Sequence, residues 1–251
     1  LPEWAPGQFE INLKRTDALT MADTTILFKT AVKQLAAESG ASATFMAKWH
    51  NDYSGNSGHI HQSLFRDGES AFYDESRPRN MSELFEQYVA GQLDVFRPAT
   101  LFFAPFANSY KRFEPDSFAG VMRSWGIDNR TVAMRVMSDG RKSARMEHRI
   151  GGADLNPYTA FATCIGAGLR GVEKGLELEP PAEGNAYQNP AYETVPTSLE
   201  EAVRETEASG AIREVLGEAF VDNILRIARF EVDVHKSAVT DVDRRRYFEM
   251  A

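Results

Sequence analysis

Apolar and polar residues alternate in some stretches of this chain and recur at helical spacing in others. Residues 8–15, "QFEINLKR", alternate behind the Pro6–Gly7 turn and predict a strand. From Thr20 to Ser39 the positions Leu27, Phe28, Ala31, Val32 and Leu35 recur every three or four residues, which predicts a helix with one buried face that stops at Gly40. "ATFMAKW" and "HIHQSLF" read as strands on either side of a Gly/Ser/Asn loop at 54–58. Ser82 opens a helix to about Gln92, with Glu83 and Glu86 placed to favour its N-terminal dipole. The aromatic stretch at 101–120, "LFFAPFANSYKRFEPDSFAG", reads as loop. "TVAMRVM" and "ARMEHRI" are strands joined by "SDGRKS" into a hairpin.

A helix rich in small residues spans Asn156 to Glu173, suited to close packing against a sheet. Pro180 and Pro181 open a polar flap that ends near Pro196, and a helical tail follows. In that tail Ser198 and Glu201 predict a capping box, and Phe220, Ile224, Ile227 and Phe230 a buried face. No internal repeat is visible. Strands in hairpins with helices between them predict an α+β domain built on an antiparallel β-sheet flanked by helices.

Composition narrows the function. The 251 residues include 28 Lys plus Arg against 36 Asp plus Glu, a net charge of −8, which argues against a nucleic-acid partner or an anionic membrane surface. No stretch approaches the roughly 20 apolar residues of a membrane span. The single Cys164 sits in the apolar run "AFATCIGAGL", as a buried thiol in a reducing, cytoplasmic compartment would. The chain opens without Met on a strand end and turn, so it is expected to begin inside a domain.

Residues two apart on a strand share a face, so His59 and His61 point together, as do Arg145, Glu147 and Arg149. Side by side, two such strands make a wall of imidazole, carboxylate and guanidinium. Glu3 and Glu10 flank the "WAPGQF" turn, where their carboxylates can approach only with a cation between them or a proton on one. Three carboxylates and a histidine suit Mg2+ or Mn2+ better than zinc or copper. Arg112, Arg130, Arg135, Arg145, Arg149 and Lys142 oppose these anions, and guanidinium forks match phosphate and carboxylate oxygens. Together they suggest handling of a metal–nucleotide and an acidic substrate.

Five ordered motifs carry a resemblance: "PEWAPGQFEINL", "GNSGHIHQSL", "NSYKRF", "SWGIDNRTVAMRV" and "ARMEHRIGGADLNPYTAFA". The chain resembles the catalytic domain of the glutamine synthetase family over nearly its whole length. The resemblance implies an ATP-dependent ligase: ATP phosphorylates the γ-carboxylate of L-glutamate, and an amine displaces phosphate to leave an amide. It implies Glu3 and Glu10 as ligands of the metal nearer glutamate, and His59 with Glu147 as ligands of the metal bridging the ATP phosphates, with two to three ions of Mg2+ or Mn2+ per site. Gly55 matches the backbone at the glutamate amino group, Arg112 the grip on its α-carboxylate and Arg149 the grip on its γ-carboxylate. Arg130 matches the arginine on the transferring phosphoryl, and Arg135 lies beside the nucleotide phosphates. His61, Ser63, Lys142 and Arg145 match the nucleotide pocket. The family pattern also implies a homo-oligomer, a dodecamer of two hexameric rings. Its N-terminal β-grasp domain and the first part of its catalytic domain are not in residues 1–251, so these residues alone are not expected to turn over.

One position departs from the pattern. Ammonia-using members carry a glutamate shortly after "NSYKR", and here the aligned residue is Phe118, with Glu114 and Asp116 out of register. An aromatic there removes the ammonium counter-charge and offers an apolar or cation–π surface, which points to an organic primary amine and a γ-glutamylamide product. A packing substitution in an ammonia-using enzyme is the alternative. Gly120, in "AGV", stands where the family has a proline-containing turn. Two rivals remain: a non-catalytic relative of the synthetases, and a metal-dependent hydrolase built on His59 and His61. The hydrolase needs further histidines, yet only His50, His148 and His235 remain, and His148 should face away from Glu147. No tyrosine-modification loop is evident, although the flap carries Tyr187 and Tyr192.

Overall fold

The computed structural model describes residues 2–114 and 117–250. The first helix, α1 (Ala18–Glu38), starts where the Asp17 carboxylate accepts from the Thr20 amide at 3.0 Å. It ends where Gly40 takes φ +70° and the Ala41 amide reaches Ala36 O at 2.9 Å. Strands β1 (Ile60–Gln62), β2 (Phe65–Arg66) and β3 (Glu69–Ser70) follow. Next come α2 (Glu83–Asp94), capped by Ser82 as expected, and α3 (Phe96–Phe103). Strands β4 (Trp125–Ile127), β5 (Met134–Met137) and β6 (Arg145–His148) lead into α4 (Pro157–Lys174), which Asn156 caps. The tail holds α5 (Leu199–Ala208), α6 (Gly210–Leu216), α7 (Glu218–Ser237) and α8 (Asp241–Tyr247).

The main sheet has the order β1-β6-β5-β4, with β2 and β3 forming a separate ribbon. Neighbours β1, β6 and β5 are antiparallel, including the expected β5–β6 hairpin, while β4 pairs parallel with β5. The sheet is therefore mixed rather than purely antiparallel. One face places Ile60, His148, Met134 and Trp125 in register against the helices, all buried. This face and α2, α3 and α4 enclose the main core, which Phe72, Phe85, Phe96, Phe102 and Met146 fill.

The small-residue helix α4 packs on α2. A side chain at Gly91 would strike the α4 backbone at Ala167 and Gly171, and one at Gly171 the α2 backbone at Gln87 and Gly91. Only glycine permits that approach.

Several expectations are corrected. Residues 8–15 form no strand, only the isolated bridge Pro2–Phe9, because no neighbouring strand pairs with them among the described residues. "ATFMAKW" is extended but unpaired. The 101–120 stretch is not all loop, since α3 runs to Phe103 and a short 3-10 turn covers Ser109–Arg112. On α1, Leu27 and Leu35 are exposed while Phe28 and Val32 are half-buried, so its expected apolar face is only partly covered among the described residues. On α7 the buried positions are Val221, Leu225 and Ala228; of the expected face Ile224 packs partly buried against the core, while Phe220, Ile227 and Phe230 are exposed. Ser198 does cap α5, but the Glu201 carboxylate returns to the amide and hydroxyl of Thr197.

Candidate active site

The face of the sheet opposite the core carries one cross-strand row, His61, Glu147 and Arg135, closed by Gly126 on β4. Glu147 is its centre. Its Oε1 lies 3.0 Å from His59 Nδ1 and 2.6 Å from Arg149 Nη1, and its Oε2 accepts from Arg135 Nη1 at 2.8 Å. Burial alone would raise this carboxyl; the hydrogen bonds from His59 and Arg135 and the charge of Arg149 outweigh it and hold the group well below the usual carboxylate range. Desolvation pushes His59 and His61 down against the pull of Glu147, so both imidazoles favour the neutral form.

Arg149 ties this centre to the Phe118 segment, because its Nη2 donates to Phe118 O at 3.1 Å. Phe118 takes φ +55°, an uncommon conformation for a bulky residue, and its ring is 49% exposed. Gly120 follows at φ +68°, where a Cβ would come within 2.8 Å of Arg149 Cβ. Arg112 is buried nearby in the fold, donating to Ser57 Oγ at 3.1 Å and to Ile150 O. Burial lowers it to about 10, opposed by Asp154, so it stays charged at neutral pH. A side chain at Gly55 would collide with the Arg112 stem and sit 2.8 Å from Ala47 O, which explains a glycine there.

The N-terminal turn docks on this region. Gln8 Nε2 donates to Gly55 O at 3.0 Å and Asn56 Oδ1 at 2.8 Å. Glu3 N bonds Gln8 O at 3.0 Å, and the carboxyls of Glu3 and Glu10 share a hydrogen bond that, ahead of burial and the Glu10 charge, raises the Glu3 carboxyl. The expected approach of these two carboxylates across the turn is therefore present. Among the described residues no three His, Cys, Asp or Glu side chains close on a common point. The donors come as two pairs, Glu3 with Glu10 and His59 with Glu147. A neutral imidazole beside an ionised carboxylate, and two neighbouring carboxyl groups, both fit a divalent cation, with substrate and water oxygens completing the shell.

His59, His61, Arg135, Glu147 and Arg149 are thus brought together, with Gly55, Arg112 and Phe118 joined to them. Arg145 instead donates to Ser143 O at 2.9 Å, and Arg130 and Lys142 are exposed, with no ion pair to either among the described residues. Ser63 lies just past β1, half-buried. His148 is buried behind the sheet at 4.0 Å from the Phe103 ring, as expected of a residue facing away from Glu147. His50 stacks on Tyr53 and His235 is exposed on α7, so no further histidine joins His59 and His61. Asp116 lies outside the described residues. Glu114 is engaged by the buried Lys48, whose Nζ lies 2.9 Å from its Oε2. Sequence reasoning missed that pair and Asp128, which forks Arg135 with Glu147. A lysine inside the apolar run "TFMAKW" was the one signal for Lys48.

Comparison with known proteins places this arrangement. The model of the glutamine synthetase catalytic domain matches residues 1–247, and the fold is of that type. The chain belongs to the glutamine synthetase family. The gamma-glutamylethanolamide synthetase GlnA4 of Streptomyces coelicolor is 44% identical over 248 residues, covering 98% of this chain and 52% of the relative. The type-1 glutamine synthetase 2 of Dictyostelium discoideum is 40% identical over 254 residues, covering 99% of this chain and 49% of the relative. Among solved structures, ligand-free GmaS superposes with a TM-score of 0.83 at 29% identity, over 93% of this chain and 54% of that one. The chain spans about half the length of these relatives.

Proposed function

We propose that the protein containing this chain is an ATP-dependent ligase that joins the γ-carboxylate of L-glutamate to an organic primary amine. The carrying observation is an exposed aromatic side chain at Phe118, where the family resemblance implies a carboxylate in ammonia-using members, while Glu114 is spent on Lys48. The 44% identity to a relative named for making a γ-glutamylethanolamide supports the same choice.

Arg112 receives the α-carboxylate, the backbone at Gly55 the amino group, and Arg149 the γ-carboxylate. A γ-carboxylate oxygen attacks the terminal phosphorus of ATP and ADP leaves, so a poor electrophile becomes an acyl phosphate. Arg130 and Arg135 balance the charge on the moving phosphoryl group, and His61, Ser63, Lys142 and Arg145 hold the nucleotide. Amine nitrogen then attacks the acyl carbon, phosphate departs with the former carboxylate oxygen, and the nitrogen loses a proton. Glu3 with Glu10 and His59 with Glu147 would hold Mg2+ or Mn2+, which would supply the counter-charge for two anions to meet; unit charges 4 Å apart otherwise repel by about 4 kcal/mol at an effective dielectric near 20. The full-length protein assembles as two stacked hexameric rings in the cytoplasm, in keeping with the family pattern.

Steady-state kinetics of the full-length enzyme with ammonium, alkylamines, ethanolamine, arylamines and polyamines test the choice of nucleophile. An organic amine should give the highest kcat/KM. Ammonium as the best substrate would establish a glutamine synthetase instead, and absence of ATP binding a non-catalytic relative.

A further inference from the structure

Residues 47–56 leave the fold and return to it at one place. The Asn56 amide donates to Ala47 O at 2.8 Å and Asn56 Nδ2 to Met46 O at 2.8 Å, closing a compact surface loop of a type that is frequently functional. Three rings gather on it: Trp49 lies 5.4 Å from His50 and 5.6 Å from Tyr53, and His50 stacks on Tyr53 at 4.5 Å. Trp49 is 48% exposed. The Asp52 carboxylate, largely exposed, comes 3.9 Å from His50 Nδ1.

The exposed Trp49 ring, backed by the half-buried Tyr53 and close in the loop to the Asp52 carboxylate, is a surface for an organic cation, since the ring quadrupole and the anion attract the same charge. The neighbouring Lys48 does not oppose this, because Glu114 neutralises it. That ion pair also fastens the start of the aromatic loop to the segment that leads into Phe118, and the loop's end carries Gly55 against Arg112.

We propose that Trp49, Tyr53 and Asp52 form an outer subsite that captures the organic ammonium form of the amine before it passes to Phe118. The subsite deepens the organic-amine assignment and rests on it. An alkylammonium with an acidity near that of lysine, about 10.4, arrives almost wholly protonated at neutral pH, so a first docking point is one for a cation.

The test uses the full-length enzyme and its W49A, W49F and D52N variants, with ethanolamine as substrate and tetramethylammonium as an unreactive probe. Trp49→Ala should raise the KM for ethanolamine about two- to fivefold while kcat and the KM for glutamate hold, and Trp49→Phe should restore most of the loss. Tetramethylammonium should quench the wild-type tryptophan fluorescence and lose that effect in the W49A variant, whereas a neutral alcohol of equal size should not quench. An unchanged ethanolamine KM, equal quenching by the alcohol, or dissociation of the native assembly in W49A would overturn the subsite, the last by making the loop a subunit contact. The titration needs no turnover, so the subsite is tested even where the wild-type enzyme prefers ammonium, an outcome that rejects the organic-amine assignment separately.

Discussion

Glu147 meets His59, Arg135 and Arg149 at once, and removing its charge would leave two guanidiniums crowded on a mostly desolvated sheet face. Glu147→Gln should therefore lower unfolding stability by about 3–5 kcal/mol, the usual cost of breaking a buried ion pair. Urea denaturation measures it, and a loss below about 1 kcal/mol would show that the cluster is not electrostatically interdependent. Phe118→Glu should raise the kcat/KM for ammonium relative to an organic amine by at least about tenfold, or 1.4 kcal/mol, by supplying an ammonium counter-charge. No change in that ratio would move the amine site elsewhere. The alternation in "ARMEHRI" made Glu147 and Arg149 legible as companions, and the structure joins them. The same rule put Arg145 beside them, yet its guanidinium turns back to Ser143 O, since alternation sets a side chain's face and not its reach. That Phe118 adopts the left-handed conformation was not legible, because Gly120 nearby is the residue that sequence favours for it.

Helices were legible in this chain to within a few residues where a cap or a glycine stop marks an end, as with Gly40 after α1, Ser82 before α2 and Asn156 before α4. Strands of three or four residues carry too little pattern. β4, "WGI", went unread although it closes the sheet, and the well-patterned residues 8–15 lack a partner strand. On α7 sequence reading placed only Ile224 of its four positions against the core, because apolar residues occur on both faces. Leu225→Ala should accordingly cost about 2–5 kcal/mol and Phe230→Ala well under 1 in the unfolding of this chain. The reverse order, measured in urea, would restore the sequence assignment of the face. Gly91→Ala should cost more than the roughly 1 kcal/mol that alanine gains over glycine in a helix, since its methyl meets the α4 backbone. A thermal midpoint at or above wild type would deny the close contact of α2 and α4.

At the scale of the whole molecule, buried titratable groups set the response to acid. His148 is pushed down to about 3 from 6.5 by burial, so between those values the unfolded chain binds a proton that the folded chain does not. Stability must fall as pH drops from about 6.5 toward 3, and His59 and His61, also held below their ordinary value, act in the same direction. Glu147 adds a second loss as pH falls below its ordinary 4.5. Unfolding free energy measured against pH should decline through this window, less steeply in His148→Gln, and a profile flat from pH 7 to 4 would contradict the burial of neutral imidazole. The central claim concerns activation of glutamate's distal carboxylate followed by capture with an organic amine. Full-length enzyme supplied with ATP, a divalent cation, equal ammonium and ethanolamine, and glutamate carrying heavy oxygen in its γ-carboxylate tests it most directly by mass spectrometry. Heavy oxygen should appear in the released phosphate together with γ-glutamylethanolamide as the main product; unlabelled phosphate, or glutamine as the main product, would contradict the account.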